Sequence, residues 1–408
     1  MKILIADDNP MWQTLLAGNV KQWNLQPILA CDGRQAIEQL QNDESIRIAL
    51  IDWQMPFLDG LEVCRQVKAN AKRGFTYIVM LTGRDSKSDV VKGLEAGVDE
   101  YLTKPVDMDV LRSRLKAARR VIEAIPPSDW ARPRIEGYSI DSILGRGAFA
   151  TVWEGKRLRD DHPVAIKVLR VDLTTATVQQ RFAHEIDVMK RLDHPYITPV
   201  FDGRVDDRVG YIIMDLNAGG TLGEYQQQSS LKGKQRVDLI RKVCEGIHHA
   251  HEQGVIHRDL KFANVMMSGG GDPRIVDFGL SKSLFTPPTD DGHQTIEGTV
   301  MGTPLFMSPE QARGETSRID LRTDIYATAT MLYIMLLKTH PHPLNGRDNR
   351  AIIRAISQTG IRRPESIKPN FNPALSRILT KALAADPGDR YETAAEFAAA
   401  LGQFLGRR

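Results

Sequence analysis

Cysteine is close to absent from this 408-residue chain: Cys31, Cys64 and Cys244 are the only three, far apart and without a CxxC pair or a Cys/His cluster. That excludes a disulfide scaffold and a structural zinc site, and it points to a reducing compartment with the thiols packed in cores. Aromatic residues make up only 6% of the chain, and 54 basic residues nearly balance 51 acidic ones with no polybasic block. Such a distribution argues against a nucleic-acid surface or an anionic-membrane patch. Long apolar runs are missing too. The opening MKILIADD breaks on acids too early for a signal peptide, and no later segment is an uninterrupted membrane span. The expectation is a cytoplasmic protein with no membrane and no nucleic-acid partner. What is present, at 42% hydrophobic content, is enough apolar material for two cores.

Residues 1 to about 122 alternate short apolar runs with helical patterns, the mark of a parallel sheet covered on both faces. The runs predict strands at 3–6, 27–30, 48–51, 77–81 and 100–102. In a doubly wound sheet ligands gather at the carboxyl ends of the strands, and those ends carry Asp7, Asp8, Asp52, Thr82 and Lys104. Three carboxylates offer Mg2+ the hard oxygen ligands it prefers. Asp52 then has the character of a carboxylate nucleophile able to form an acyl phosphate. Lys104 and Thr82 supply charge and a hydroxyl donor to the new phosphoryl oxygens.

These residues, in this order, resemble a response-regulator receiver domain, a flavodoxin-like α/β fold with a five-stranded parallel sheet. The resemblance implies a cognate histidine kinase as phosphoryl donor to Asp52. It also implies that Lys104-Pro105 is the family's lysine-proline step, commonly a cis peptide, and that Thr82 and Tyr101 reset the surface around the last helices. Tyr101 taken alone reads equally as a plain core or surface aromatic. The family's frequent dimerisation through the face near Tyr101 leaves a homodimer open by analogy, while the sequence itself is silent on oligomeric state.

VLRSRLKAARRVIEAI closes this first domain as a basic amphipathic helix. PPSDWARPR follows, with three prolines in nine positions, a pattern that breaks helices and favours an extended spacer. Residues 123–134 therefore read as a linker between a domain at 1–122 and a second at 135–408. So short a linker predicts domains that touch or nearly touch, with Trp130 either a docking residue or an exposed ring.

The second domain opens with ILGRGAFATVWEG, in which Gly145 and Gly147 let backbone amides approach nucleotide phosphates with no Cβ in the way. PVAIKVL reads as a strand placing Lys167 among apolar residues, where a charge needs a partner, and RFAHEIDVMKRL supplies Glu185. VIHRDLKFANVMM holds Asp259, Lys261 and Asn264, and RIVDFGL adds Asp277. These residue types suit phosphoryl transfer, whose demands are metal placement, charge neutralisation and orientation of a hydroxyl.

In this order the blocks resemble a eukaryotic-type serine/threonine protein kinase, a two-lobed α+β fold. The resemblance implies ATP and Mg2+ as cofactors and a protein Ser/Thr hydroxyl as acceptor. By it, Leu144, Gly145, Gly147, Val152 and Ala165 enclose ATP, and Met214 is the gatekeeper before a hinge at Asp215-Leu216. Lys167, held by Glu185, grips the α and β phosphates; Asp259 accepts or orients the hydroxyl proton; Lys261 neutralises the γ-phosphate; Asn264 and Asp277 bind Mg2+. It further implies that Thr303 contacts Asp259 and Lys261, that Glu310 pairs with Arg390 and that Asp324 holds the catalytic loop; the histidines, His257 included, read as structural rather than catalytic. Autophosphorylation is expected at Thr295 or Thr299, with Arg258, Lys282 and Arg181 around the phosphate. The departures from the family pattern are Ala150, Phe262, Ser308 and Ala329, none of which removes a catalytic group.

The function expected is that of a two-component response regulator whose output is ATP-dependent Ser/Thr kinase activity controlled through Asp52, with either sign of control open. The alternative is a phosphorylation-gated scaffold with a catalytically silent kinase fold. A DNA-binding output is disfavoured, because no helix-turn-helix module remains after these assignments.

Overall fold

The structure is a computed structural model and describes residues 1–69, 76–83, 98–123, 133–146, 150–169, 176–205, 210–229, 231–278, 304–344 and 349–406. Most of the expected linker, with Trp130, lies outside the described residues, as do Gly147, Lys282, Thr295, Thr299 and Thr303. The side chain of Arg181 lies outside them as well. The chain divides into two compact units, Met1–Thr174 with Asp206–Tyr211, and Thr175–Val205 with Ile212–Arg408.

The first unit holds a five-stranded parallel sheet in the order β2-β1-β3-β4-β5, built from β1 (Lys2–Ala6), β2 (Gln26–Ala30), β3 (Ile46–Asp52), β4 (Tyr77–Thr82) and β5 (Glu100–Thr103). The central strands read as continuous apolar runs because both of their faces are covered, and all six residues of β4 are buried. Alternate side chains serve opposite faces. Ile3, Ile5, Ile48, Leu50 and Val79 share a core with residues of α1 (Pro10–Gln22) and α4 (Met108–Glu123). Leu4, Ala49, Ile51, Ile78 and Met80 share the other with residues of α2 (Gly33–Asn42) and α3 (Gly60–Ala69). Asn9 caps α1 by accepting from the Met11 N–H, and Asp32 caps α2 by accepting from Gln35. Each predicted strand is found, slightly longer than predicted.

The same unit contains an antiparallel meander of β6 (Tyr138–Arg146), β7 (Ala150–Arg157) and β8 (His162–Leu169). The rest of the chain contributes α5 (Ala176–Lys190), the neighbouring strands β9 (Val200–Val205) and β10 (Gly210–Asp215), α6 (Leu222–Gln228), α7 (Gly233–Glu252) and an antiparallel ribbon of β11 (Val265–Met267) with β12 (Pro273–Ile275). Then come α8 (Pro309–Arg313), α9 (Arg322–Leu337), α10 (Asn349–Gln358), α11 (Pro364–Ile367), α12 (Pro373–Ala382) and α13 (Ala394–Gly406). Every residue of α9 from Thr323 to Met335 is buried, as befits a helix apolar all round, and α7, α12 and α13 pack against it. Among the described residues no helix is long and apolar enough to cross a membrane.

One core assignment is corrected. Cys64 and Cys244 are buried, and desolvation pushes the Cys64 thiol up to about 12 and raises that of Cys244. Cys31 is exposed, because it follows the last residue of β2 on the loop into α2.

Candidate functional site

The parallel sheet brings three carboxylates to one rim. Asp7 follows β1 and is fully buried, Asp8 beside it is exposed, and Asp52 is the last residue of β3. One carboxylate oxygen from each lies within 4.8 Å of the others, a donor set that fits Mg2+. Lys104, just past β5, places its ammonium 2.6 Å from Asp7 and 3.0 Å from Asp52. Burial pushes the Asp52 carboxyl up to about 6; the ammonium of Lys104 opposes that shift and the charge of Asp7 adds to it. At Gly60 a Cβ would lie 2.3 Å from the Asp52 carbonyl, so glycine is what lets α3 start against the end of β3.

Thr82 ends β4 with its hydroxyl buried, and Tyr101 on β5 is 6% exposed; among the described residues neither hydroxyl has a hydrogen-bond partner. Tyr101 packs in the core shared by α2 and α3. Lys104-Pro105 is cis. Two residues of this rim carried no motif. Gln13 of α1 donates to the carbonyls of Asp7 (2.7 Å) and Ala30 (2.9 Å). The ring of Trp12, also on α1, lies 5.5 Å from the Lys104 ammonium, within cation–π range.

The β6–β8 meander aligns four candidate nucleotide contacts. Gly145 pairs with Val152 and Val152 with Lys167, while Ala165 stands two residues before Lys167 on β8. Directly paired residues share a face, and so do residues two apart on a strand; all four therefore face one way. A Cβ on Gly145 would meet nothing within 4 Å among the described residues, so packing does not demand glycine there. Leu144 is 49% exposed. Glu185 lies on α5 with a half-buried side chain. Met214 is buried on β10 and lines a small apolar cavity with Met189, Ile197, Val200 and Phe278.

The loop between α7 and β11 carries the third cluster. Lys261 Nζ lies 2.9 Å from Asp259 Oδ2, and Asn264 Nδ2 donates to the Asp259 carbonyl at 2.8 Å. The β11–β12 ribbon pairs Val265 with Ile275, and the Val276 N–H donates to the Asn264 carbonyl at 3.0 Å. Asn264 is thereby held opposite the residue preceding Asp277. Arg258 and Asp277 both adopt left-handed backbone, at φ 63° and 62°, and strain of that kind concentrates at functional sites.

Asp324, in the first turn of α9, supports this loop from below. It accepts from the backbone N–H groups of His257 and Arg258, both at 2.8 Å, and from His251 Nε2 at 2.9 Å. Burial alone would raise its carboxyl, but the His251 hydrogen bond and the two nearby imidazoles hold it below the usual carboxylate range. His257 donates from Nε2 to the Val276 carbonyl and packs at a tilt against Phe278, with ring centroids 5.0 Å apart, contacts that hold the loop together. His251 was not singled out by any motif.

Glu310 and Arg390 form the anticipated pair, bidentate at 2.7 and 2.8 Å with both side chains fully buried. Burial pushes Glu310 up, and Arg390 outweighs it to leave the carboxyl below its ordinary value. Two departures from the family pattern acquire reasons. Ser308 caps α8, accepting from the Gln311 N–H in a capping box. Phe262 is buried edge-on to Phe306, with centroids 5.4 Å apart.

Residues 138–400 match the family model "Protein kinase domain", and residues 3–116 match "Response regulator receiver domain". The serine/threonine-protein kinase PknB of Mycolicibacterium smegmatis is 34% identical over 271 residues, covering 65% of this chain and 42% of that protein. PknB of Mycobacterium tuberculosis is 32% identical with the same coverage. The chain thus spans well under half the length of these relatives. Among solved structures, the Mycobacterium tuberculosis PknI kinase domain superposes with a TM-score of 0.50 at 24% identity, over 66% of this chain and 97% of that one. Rad53 in complex with AMP-PNP superposes at 0.52 and 22%, over 66% and 65%; these two likenesses speak for the fold. The chain belongs to the protein kinase domain family and carries a response regulator receiver domain ahead of the kinase domain.

Proposed function

We propose that the chain is an ATP-dependent Ser/Thr protein kinase whose rate is set by phosphorylation of Asp52, with a cognate histidine kinase as donor. The observation that carries the catalytic half is the Asp259–Lys261–Asn264 cluster, fixed from below by Asp324 and tied through the ribbon to the residue before Asp277. In the reaction, Asp259 takes the proton of a substrate hydroxyl as its oxygen bonds to the γ-phosphorus and the bond to the ADP oxygen breaks. Lys261 balances charge on the transferred group. Asn264 and Asp277 would hold Mg2+, which supplies neutralisation of the nucleotide phosphates. Lys167, partnered by Glu185, would take the α and β phosphates, with Gly145, Gly147, Val152, Ala165, Leu144 and Met214 around the nucleotide. The AMP-PNP named with Rad53 supports ATP as the ligand. A chain that uses ATP and a histidine-kinase donor works in the cytoplasm.

For the receiver half, Asp7, Asp8 and Asp52 would hold Mg2+, Asp52 would accept the phosphoryl group, and Lys104 would turn from the carboxylates to the new phosphate. Thr82 and Tyr101 would carry the change outward. Thr295 or Thr299 is the proposed autophosphorylation site.

The experiment is phosphate incorporation from Mg-ATP with and without beryllofluoride, a mimic of phospho-Asp52, with Asp259→Asn as the blank. The variant is expected to lose about 100-fold or more, and the mimic to change the wild-type rate by about five- to hundred-fold. No incorporation in either state would leave the phosphorylation-gated scaffold as the better reading.

A further inference from the structure

His340 and His342 lie on the loop after α9, and none of the roles above uses them. Both are buried, at 9% and 2% exposure. His340 Nδ1 accepts from the His342 backbone N–H at 3.1 Å, so its proton sits on Nε2, which donates to the Leu305 carbonyl at 2.8 Å. His342 Nε2 meets the Tyr326 hydroxyl of α9 at 2.6 Å, and its Nδ1 meets Thr359 Oγ1, just past α10, at 3.1 Å. Arg362 closes the arrangement by donating to the His340 carbonyl and to Thr339 Oγ1.

Leu305 belongs to the segment 304–307, which borders the catalytic loop. Phe306 packs edge-on to Phe262, the neighbour of Lys261, and Gln311 Nε2 donates to the Arg258 carbonyl at 2.9 Å. A polypeptide that delivers a hydroxyl to Asp259 needs a surface for the residues flanking that hydroxyl, and this segment lies beside the acid. We propose that His340, oriented by His342, is a positioning residue for the polypeptide acceptor: it fixes the Leu305 carbonyl and with it the surface on which the acceptor chain rests. The inference deepens the kinase reading and depends on it. Burial keeps both imidazoles neutral, His340 falling to about 3 and His342 to about 4, so the donor stays in place through the neutral range.

The test uses the full chain, Mg-ATP and a synthetic Ser/Thr peptide. H340L keeps comparable bulk and removes the donor, while H340Q keeps an amide that can reach Leu305. H340L is expected to raise the peptide KM about five- to ten-fold, the loss of one hydrogen bond, with the ATP KM unchanged and with faster amide exchange confined to 305–307. H340Q is expected to recover most of the loss. A wild-type peptide KM in H340L overturns the inference, and so does an equal rise in H340Q or a parallel rise in ATP KM, either of which marks a packing role. Should H340L fail to fold, H340F keeps a ring without a donor, and an unmoved peptide KM there is equally fatal. An inactive wild type fells the kinase reading and the inference together, whereas an active wild type with unmoved variants fells the inference alone.

Discussion

At the residue scale, buried charges are held by partners that the chain supplies from far away. Glu310 and Arg390 are both fully buried, and Thr323 adds a hydrogen bond to Glu310 at 2.8 Å. Removing one member leaves the other charged in a low-dielectric interior. Arg390→Ala is therefore expected to cost about 3–5 kcal/mol, read as a shift in the denaturation midpoint of the full chain. Asp324 is a second case. Its carboxylate organises two backbone N–H groups of the catalytic loop, and Asp324→Asn gives up at least one charge-assisted bond. The expected outcome is a fall in kcat for phosphate transfer larger than any change in ATP KM. The Glu310–Arg390 pair and the role of Asp324 were legible because each sits in a recognisable block. His251, which completes the Asp324 site from 73 residues away, was not, because an isolated histidine near a helix end has no sequence signature.

At the scale of elements, short helices and loops are set by caps and buried polar contacts. Ser308 provides the N-cap of α8, a helix of five residues. Ser308→Ala is expected to destabilise by about 1 kcal/mol, measurable by thermal unfolding. The loop after α9 contributes a pH dependence. His340 and His342 titrate at about 3 and about 4 in the fold, against 6.5 ordinarily, and are faced by Leu305, Tyr326, Thr359 and Arg362. Below about 6.5 the unfolded chain takes up protons that the fold refuses, so stability falls as pH drops from 6.5 towards 4, by a few kcal/mol. His342→Phe should flatten that slope in urea titrations across the same range. Strand assignments were legible at this scale because continuous apolar runs mark strands covered on both faces. Cys31 was misread because burial at the last turn of a run depends on where the chain leaves the sheet.

At the scale of the whole molecule, a receiver domain and a protein kinase domain share one chain, and the proposal that one governs the other rests on ligand-dependent change. Mg2+ with beryllofluoride should stabilise the wild type by about 2.7 kcal/mol at a hundredfold excess over Kd. Asp52→Asn should abolish that gain, and chelation of Mg2+ should reverse it. A gain that persists in Asp52→Asn would place the ligand elsewhere.

The sequence alone determined the parallel sheet, the acids at its strand ends and the Asp259–Lys261–Asn264 block, because each of these is local. A buried strand declares itself by its run, and Asp259, Lys261 and Asn264 lie within six positions. Only the tertiary structure decided which partners those residues meet. The double pairing of Lys104 with Asp7 and Asp52, the Asp324 bond to Arg258 across 66 residues, the Gln13 clasp on two carbonyls and the His340 bond to Leu305 all join distant segments. A hydrogen bond between side chains so far apart depends on packing that brings their elements together, and no local pattern of residue types encodes that distance.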